Sequence, residues 1–227
     1  MSHTLIDDVP NWAQRLIEAT SFSIERGDLV IACDLNFSIG SGTLSHIKGK
    51  NGSGKTTLLL TMAGLLPVTK PSSLLWADCL PQTWPTVFVG IKSACHASLT
   101  VSENMLFLAD IESADLPDKI EEVIHLLGLA GYEDEPFYAL SSGQQRRIQL
   151  SRLWLTENSD CLWLLDEPFT ALDQGIVKLL QRQLLAHVER GGRVVLSSHQ
   201  PVDGVTHNIN LDDFARQTTL NRGVDVA

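Results

Sequence analysis

Residues 49–56 read Gly49-Lys50-Asn51-Gly52-Ser53-Gly54-Lys55-Thr56, and this stretch decides the fold. Glycines at 49, 52 and 54 let the chain curl so that successive backbone N–H groups point inward, a cradle suited to phosphate oxygens. Lys55 supplies a cation that reaches the β- and γ-phosphates, and the Thr56 hydroxyl is a ligand for an accompanying Mg²⁺. The flanks agree with that reading. Thr43-Leu-Ser-His-Ile47 alternates as a strand does, and Thr57-Leu-Leu-Leu-Thr-Met-Ala-Gly64 is helical and closes on glycine. The loop therefore opens a helix whose N-terminus favours anions. The whole run of Gly49, Lys50, Asn51, Gly52, Ser53, Gly54, Lys55, Thr56 and Thr57 is assigned to binding a nucleotide, with ATP and Mg²⁺ as the expected ligands.

A second segment has chemistry of the same kind. Cys161-Leu-Trp-Leu-Leu-Asp-Glu-Pro168 is an apolar strand that delivers two carboxylates at its C-terminal end. An Asp-Glu pair there is most often a solvated strand end. Beside a phosphate loop it gains a role, because ligands of open α/β sheets bind beyond the carboxyl ends of the strands. Asp166 is then a Mg²⁺ holder, and Glu167 the group that orients or deprotonates an attacking water. A third segment, Leu140-Ser-Ser-Gly-Gln-Gln-Arg-Arg147, opens another helix. Ser141 with Gln144 three residues on forms a capping box, and a capped helix end is also an anion cradle.

The composition narrows the class. The 227 residues suffice for one core with a smaller appended lobe, and a net charge of −10 argues against a nucleic-acid surface. No apolar run reaches the roughly 18 residues of a membrane span, and the acidic N-terminus lacks the basic start of a signal peptide. Cys33, Cys79, Cys95 and Cys161 are unevenly spaced, so reduced thiols are expected.

Residues 1–20 form an N-terminal extension, loosely amphipathic and interrupted by Pro10, and residues 21–227 the main domain. Short runs at Phe22–Ile24, Leu29–Cys33, Leu35–Ile39 and Leu44–Ile47 predict an antiparallel meander. Buried strands are expected at Val87–Gly90, Cys161–Asp166 and Arg193–Ser197. Pro117–Gly128 is an amphipathic helix within a helical region of about 92–155, and the tail from His207 is polar and weakly patterned.

Taken in order, these motifs resemble the ATP-binding cassette ATPases. Ala171-Leu-Asp173 stands where that family has its D-loop, and Ser197-Ser-His199 where it has its switch histidine. The resemblance spans roughly 21–205 and implies an α/β P-loop fold with a RecA-like core, an antiparallel β subdomain and a helical signature subdomain. It gives His199 a γ-phosphate contact beside Glu167, and counts Asp173 with Ser141, Ser142, Gly143 and Gln144 among the nucleotide contacts. In that family the signature meets the phosphate loop of a second copy, so ATP is expected to close a homodimer that drives an integral membrane partner. Arg152-Leu-Trp-Leu155, the run through Asp173, Gly191-Gly192 and Ser198-His-Gln-Pro201 look like the heme-exporter branch used in cytochrome c maturation. The branch implies a peripheral position on the cytoplasmic face of the inner membrane.

Three departures and two rival readings accompany it. Ser142 replaces a glycine of the signature, where a positive φ would be uncomfortable. The position nine residues before Thr100, glutamine in most of the family, is Ile91. Ile91 offers no Mg²⁺ ligand, and Gln82 is too distant in sequence to substitute for it. No adenine-stacking aromatic is evident: Phe22 is the nearest candidate, while Arg26 sits closer by spacing. The rivals are a soluble cassette ATPase acting on ribosomes or chromosomes, and a nucleotide sensor that hydrolyses weakly. The single cassette and the acidic charge oppose the first; Glu167 and His199 oppose the second.

Overall fold

The computed structural model describes residues 17–26, 29–68, 74–76, 85–109, 115–156, 158 and 160–214. Most of the N-terminal extension, Cys79, Gln82 and the tail beyond Phe214 lie outside them. Two sheets and a helical lobe build the molecule. The smaller sheet is antiparallel, in the order β2 (Leu29–Ile39), β1 (Ile17–Arg26), β4 (Leu74–Trp76). The larger is wholly parallel, in the order β5 (Thr86–Val89), β6 (Leu162–Asp166), β7 (Arg193–Ser197), β3 (Thr43–Lys48), β8 (His207–Asn210).

The expected meander is corrected in three places. The runs Leu29–Cys33 and Leu35–Ile39 form one strand, bulged at Asp34, whose φ of 59° is one an aspartate tolerates. β1 starts at the fully buried Ile17, so the expected domain boundary at residue 21 falls within a strand. Leu44–Ile47 leaves the meander altogether. Leu44, Ser45, His46 and Ile47 are all buried, and a strand covered on both faces belongs in the parallel sheet. Residues 207–214 likewise have more regular structure than their polarity predicts, because β8 pairs with β3 and seats Ile209 and Leu211 in the core.

Alternation along the parallel strands divides the interior. Leu162, Leu164 and Val195 face α1 (Lys55–Met62) and the antiparallel sheet, packing on Leu58, Leu59 and Met62. Cys161, Trp163, Leu165, Val194 and Leu196 face the other way, onto Leu180 and Leu184 of α5 (Gln174–Glu189). A third core holds the lobe of α2 (Val101–Leu108), α3 (Leu116–Leu126) and α4 (Ser142–Ser151). The register places the C-terminal ends together: Asp166 stands beside Ser197, and Ser197 beside Ile47 at the mouth of the loop. No helix among the described residues is long and apolar enough to cross a membrane.

Candidate functional site

The loop closes as its glycines predict. Gly49, Gly52 and Gly54 all hold positive φ, and Gly54 caps α1 with no side-chain bond to the first amides of the helix. Those amides stay available to an anion. Gly54 is also held for space, since a Cβ would come within 3.2 Å of Ile24. Lys55 Nζ folds back to donate to the carbonyls of Gly49 at 2.7 Å and Lys50 at 3.1 Å. Lys50 N in turn donates to Asp212, just beyond β8, at 3.0 Å. The Ser53 hydroxyl is buried against Gly49 and has no hydrogen-bond partner among the described residues.

A cavity of about 340 Å³ opens over the loop, lined by Asn51, Gly52, Gly54, Lys55, Thr56 and Thr57. Asp166, Glu167 and His199 line its other side. Gly49, Lys50 and Ser53 support the loop from behind the lining. Thr56 Oγ1 donates to Asp166 Oδ2 at 2.7 Å, and Ser197 Oγ donates to Asp166 Oδ1 at 2.6 Å. This hydroxyl and carboxylate are hard oxygen donors at a phosphate site, the donor set that Mg²⁺ takes together with phosphate and water.

Glu167 sits in the left-handed region at φ 48°, a costly conformation for a residue with a side chain. Its Oε2 accepts from the His199 amide at 3.3 Å. Its Oε1 lies 3.3 Å from His199 Nε2, out of line for a hydrogen bond, and no other donor among the described residues reaches this buried oxygen. Glu167 lines the cavity beside His199, and a carboxylate in that position can take a proton from a water.

The signature residues lie apart from this cavity. Ser141 caps α4, its Oγ accepting from Gln144 N at 3.3 Å while Gln144 Oε1 accepts from Ser141 N at 2.9 Å. Ser142 enters the first turn of α4 and is not among the residues at positive φ, so the uncomfortable conformation does not arise. Asp173 turns to other partners: it caps α5 through Gly175 N and Ile176 N, and pairs with Arg147 at 2.7 Å. The Ile176 amide, with Arg147 adding, holds its carboxyl below the usual aspartate range.

Both adenine candidates are resolved by burial. Phe22 is 2% exposed within the core and has no face for a base, whereas Arg26 and Ile31 line the cavity. Ile91 is 66% exposed at the cavity edge, an apolar group where a polar one was expected.

Three residues received no role from the sequence. Ser197 orients Asp166 and also accepts from Glu167 N at 3.0 Å. His46 is buried, with Nε2 at 3.0 Å from the Ser198 carbonyl; burial lowers its pKa and keeps the ring a neutral donor. Arg146 is buried and bonds to the carbonyls of Asp166 and Glu167 at 2.9 and 3.0 Å. A second arginine beside the signature was the only sequence signal for it.

The profile of the ABC transporter family matches residues 33–170. The chain is 39% identical over 193 residues to the cytochrome c biogenesis ATP-binding export protein CcmA of Idiomarina loihiensis, covering 82% of this chain and 86% of that protein. It is 38% identical over 206 residues to the protein of the same description from Pasteurella multocida, covering 87% and 95%. In fold it is similar to a Pyrococcus furiosus protein described as an ABC transporter ATP-binding protein, with a TM-score of 0.75 at 20% identity over 88% of this chain and 100% of that one. With the loop, the acidic strand end and the capped signature helix in these positions, the chain belongs to the ABC transporter family as one of its ATP-binding ATPase subunits.

Proposed function

We propose that this chain hydrolyses ATP to drive a separate integral membrane protein, in a system that exports heme for cytochrome c maturation. The Glu167 carboxylate, lining the cavity over the loop beside Thr56, Asp166 and His199, carries the hydrolytic part. The likeness to the two cytochrome c biogenesis export proteins carries the heme part.

In this reading the loop amides and Lys55 hold the triphosphate, with Asn51 and Thr57 at its edges. Thr56 and Asp166 hold Mg²⁺, which supplies charge neutralisation on the phosphate oxygens. Glu167 takes a proton from the attacking water, and His199, 3.3 Å from that carboxylate, contacts the γ-phosphate. Ser141, Ser142, Gly143 and Gln144 serve the nucleotide of a second copy in a two-fold pair, and Asp173 stands at the same interface. Ile91, Leu106 and Phe107 are exposed apolar groups, side chains suited to contact with a membrane partner. The chain then sits peripherally at the cytoplasmic face of the inner membrane, its cassette beginning with β1 and its helical lobe spanning about 92–155.

A complementation assay tests this. Cells lacking the chain should lose c-type cytochromes, regain them with the wild type, and fail to regain them with Glu167→Gln. Normal cytochromes without the chain would overturn the heme assignment, and rescue by Glu167→Gln would overturn the hydrolytic one.

A further inference from the structure

One buried guanidinium holds together the ends of two strands and the helix that bears the signature. Arg146 lies in the second turn of α4 and is 7% exposed. Its Nη1 donates to the carbonyl of Gly90 at 2.7 Å and to Gln149 Oε1 at 2.9 Å. Its Nη2 donates to the carbonyls of Asp166 at 2.9 Å and Glu167 at 3.0 Å. Gly90 directly follows β5, and Asp166 and Glu167 end and follow β6. These carbonyls lie at the carboxyl edge of the sheet, where the ladder stops, and a buried carbonyl without a donor is costly.

The charge is not placed there cheaply. Burial pushes the Arg146 pKa down, and only the nearby carboxylates of Asp166 and Glu167 pull it back. The geometry nevertheless uses both terminal nitrogens: one spans to β5 and the other to β6. An ammonium group has three donors on one atom and cannot reach both strand ends. Glu167, one of the three residues whose carbonyls are held, is also the one whose backbone adopts the strained left-handed conformation. Such a conformation persists only where the surroundings over-determine it.

We propose that Arg146 is a positioning residue that fixes the backbone of Glu167 from the signature helix, so that the base is aimed only while α4 is seated against β5 and β6. This rests on the reading of Glu167 as the group that activates water. Arg146 reaches neither the loop nor the phosphates, so its effect falls on turnover and spares nucleotide affinity.

Arg146→Lys tests it by kinetics, nucleotide binding and a double-variant cycle. The expected result is a 10- to 100-fold lower kcat, ATP affinity within about twofold of wild type, and a KM that follows that affinity. In a Glu167→Gln background the same change should cost nothing further, because the group it aims is already gone. Gln149→Leu, which frees Nη1 from its side-chain partner, should lower kcat a few-fold with the same loss of effect in the Glu167→Gln background. It carries the test if the lysine variant does not fold. An equal fold-loss in both backgrounds, or wild-type kcat in Arg146→Lys, overturns the proposal. Wild-type turnover in Glu167→Gln alone would instead remove the base, a result read before Arg146 is touched.

Discussion

Gly143 faces the Ala171 carbonyl so closely that an added Cβ would sit 2.8 Å from its oxygen. Ala171 itself holds φ 63°, so neither backbone has room to give. An aspartate at 143 would disturb this contact within one chain before it met any nucleotide of a second. The charge probe for pairing therefore belongs at Ser141, where aspartate can also cap the helix and sits well at its positive end. Glu167→Gln with MgATP is expected to run as a dimer in size-exclusion chromatography. Adding Ser141→Asp should return it to monomer without lowering Tm. A dimer that persists with aspartate at 141, or that forms equally without nucleotide, removes the paired arrangement.

The roles of Lys55 and Glu167 separate in binding and turnover. Lys55→Ala deprives the phosphates of their cation and should weaken ATP binding measurably in titration calorimetry. Glu167→Gln keeps the charge pattern of the loop and should bind ATP normally while hydrolysis falls by ~10²-fold or more. Equal affinity in the first variant, or equal turnover in the second, would take that residue out of its role.

Ile91 is too exposed to be core, so Ile91→Gln should leave Tm unchanged. If its apolar surface meets the membrane partner, the variant should co-purify with that partner in lower yield while the isolated subunit keeps its turnover. A rise in isolated turnover would instead show that a polar group at the cavity edge restores a contact to the water shell, a gain limited to ~1.5–3 kcal/mol by the strength of one charge-assisted hydrogen bond.

His187 makes stability depend on acid. Its ring stacks on Trp163 at 3.7 Å between centroids and 3° between planes, and Nε2 bonds to the Cys161 carbonyl at 2.8 Å. Any side chain at Gly192 would run into that ring. Burial is the main cause that lowers the His187 pKa from 6.5 to about 4, with the Arg190 and Arg193 charges adding and the carbonyl bond opposing. Between those values the unfolded chain binds a proton that the folded one refuses. Stability is therefore full above pH 6.5 and falls as pH drops toward 4, by roughly 3 kcal/mol if the whole shift is expressed. Tm measured across this window should decline, and His187→Gln should flatten the decline while lowering Tm at pH 7.5. An unchanged slope in the variant would assign the acid sensitivity to other groups.

The sequence by itself determined the features whose chemistry is complete within a few consecutive residues. The loop from Gly49 to Thr56 needs only glycines that permit positive φ and a lysine in reach. The Ser141–Gln144 capping box closes over three residues, and the apolar strand that ends in Asp166 and Glu167 carries its own register. Such patterns act through local backbone geometry, so they are legible without the fold. The remaining features depend on which face of a strand turns inward and which distant carbonyls meet. Phe22 and Arg26 belong to one strand, yet burial takes the first into the core and leaves the second at the cavity. Leu44–Ile47 reads as one more short strand after three antiparallel runs, and only packing on both faces moves it to the parallel sheet. Arg146 gathers carbonyls 56, 20 and 21 residues away, and no spacing in the sequence encodes that convergence. It arises because parallel strands in register bring their carboxyl ends to one edge, where a single buried guanidinium can satisfy them together.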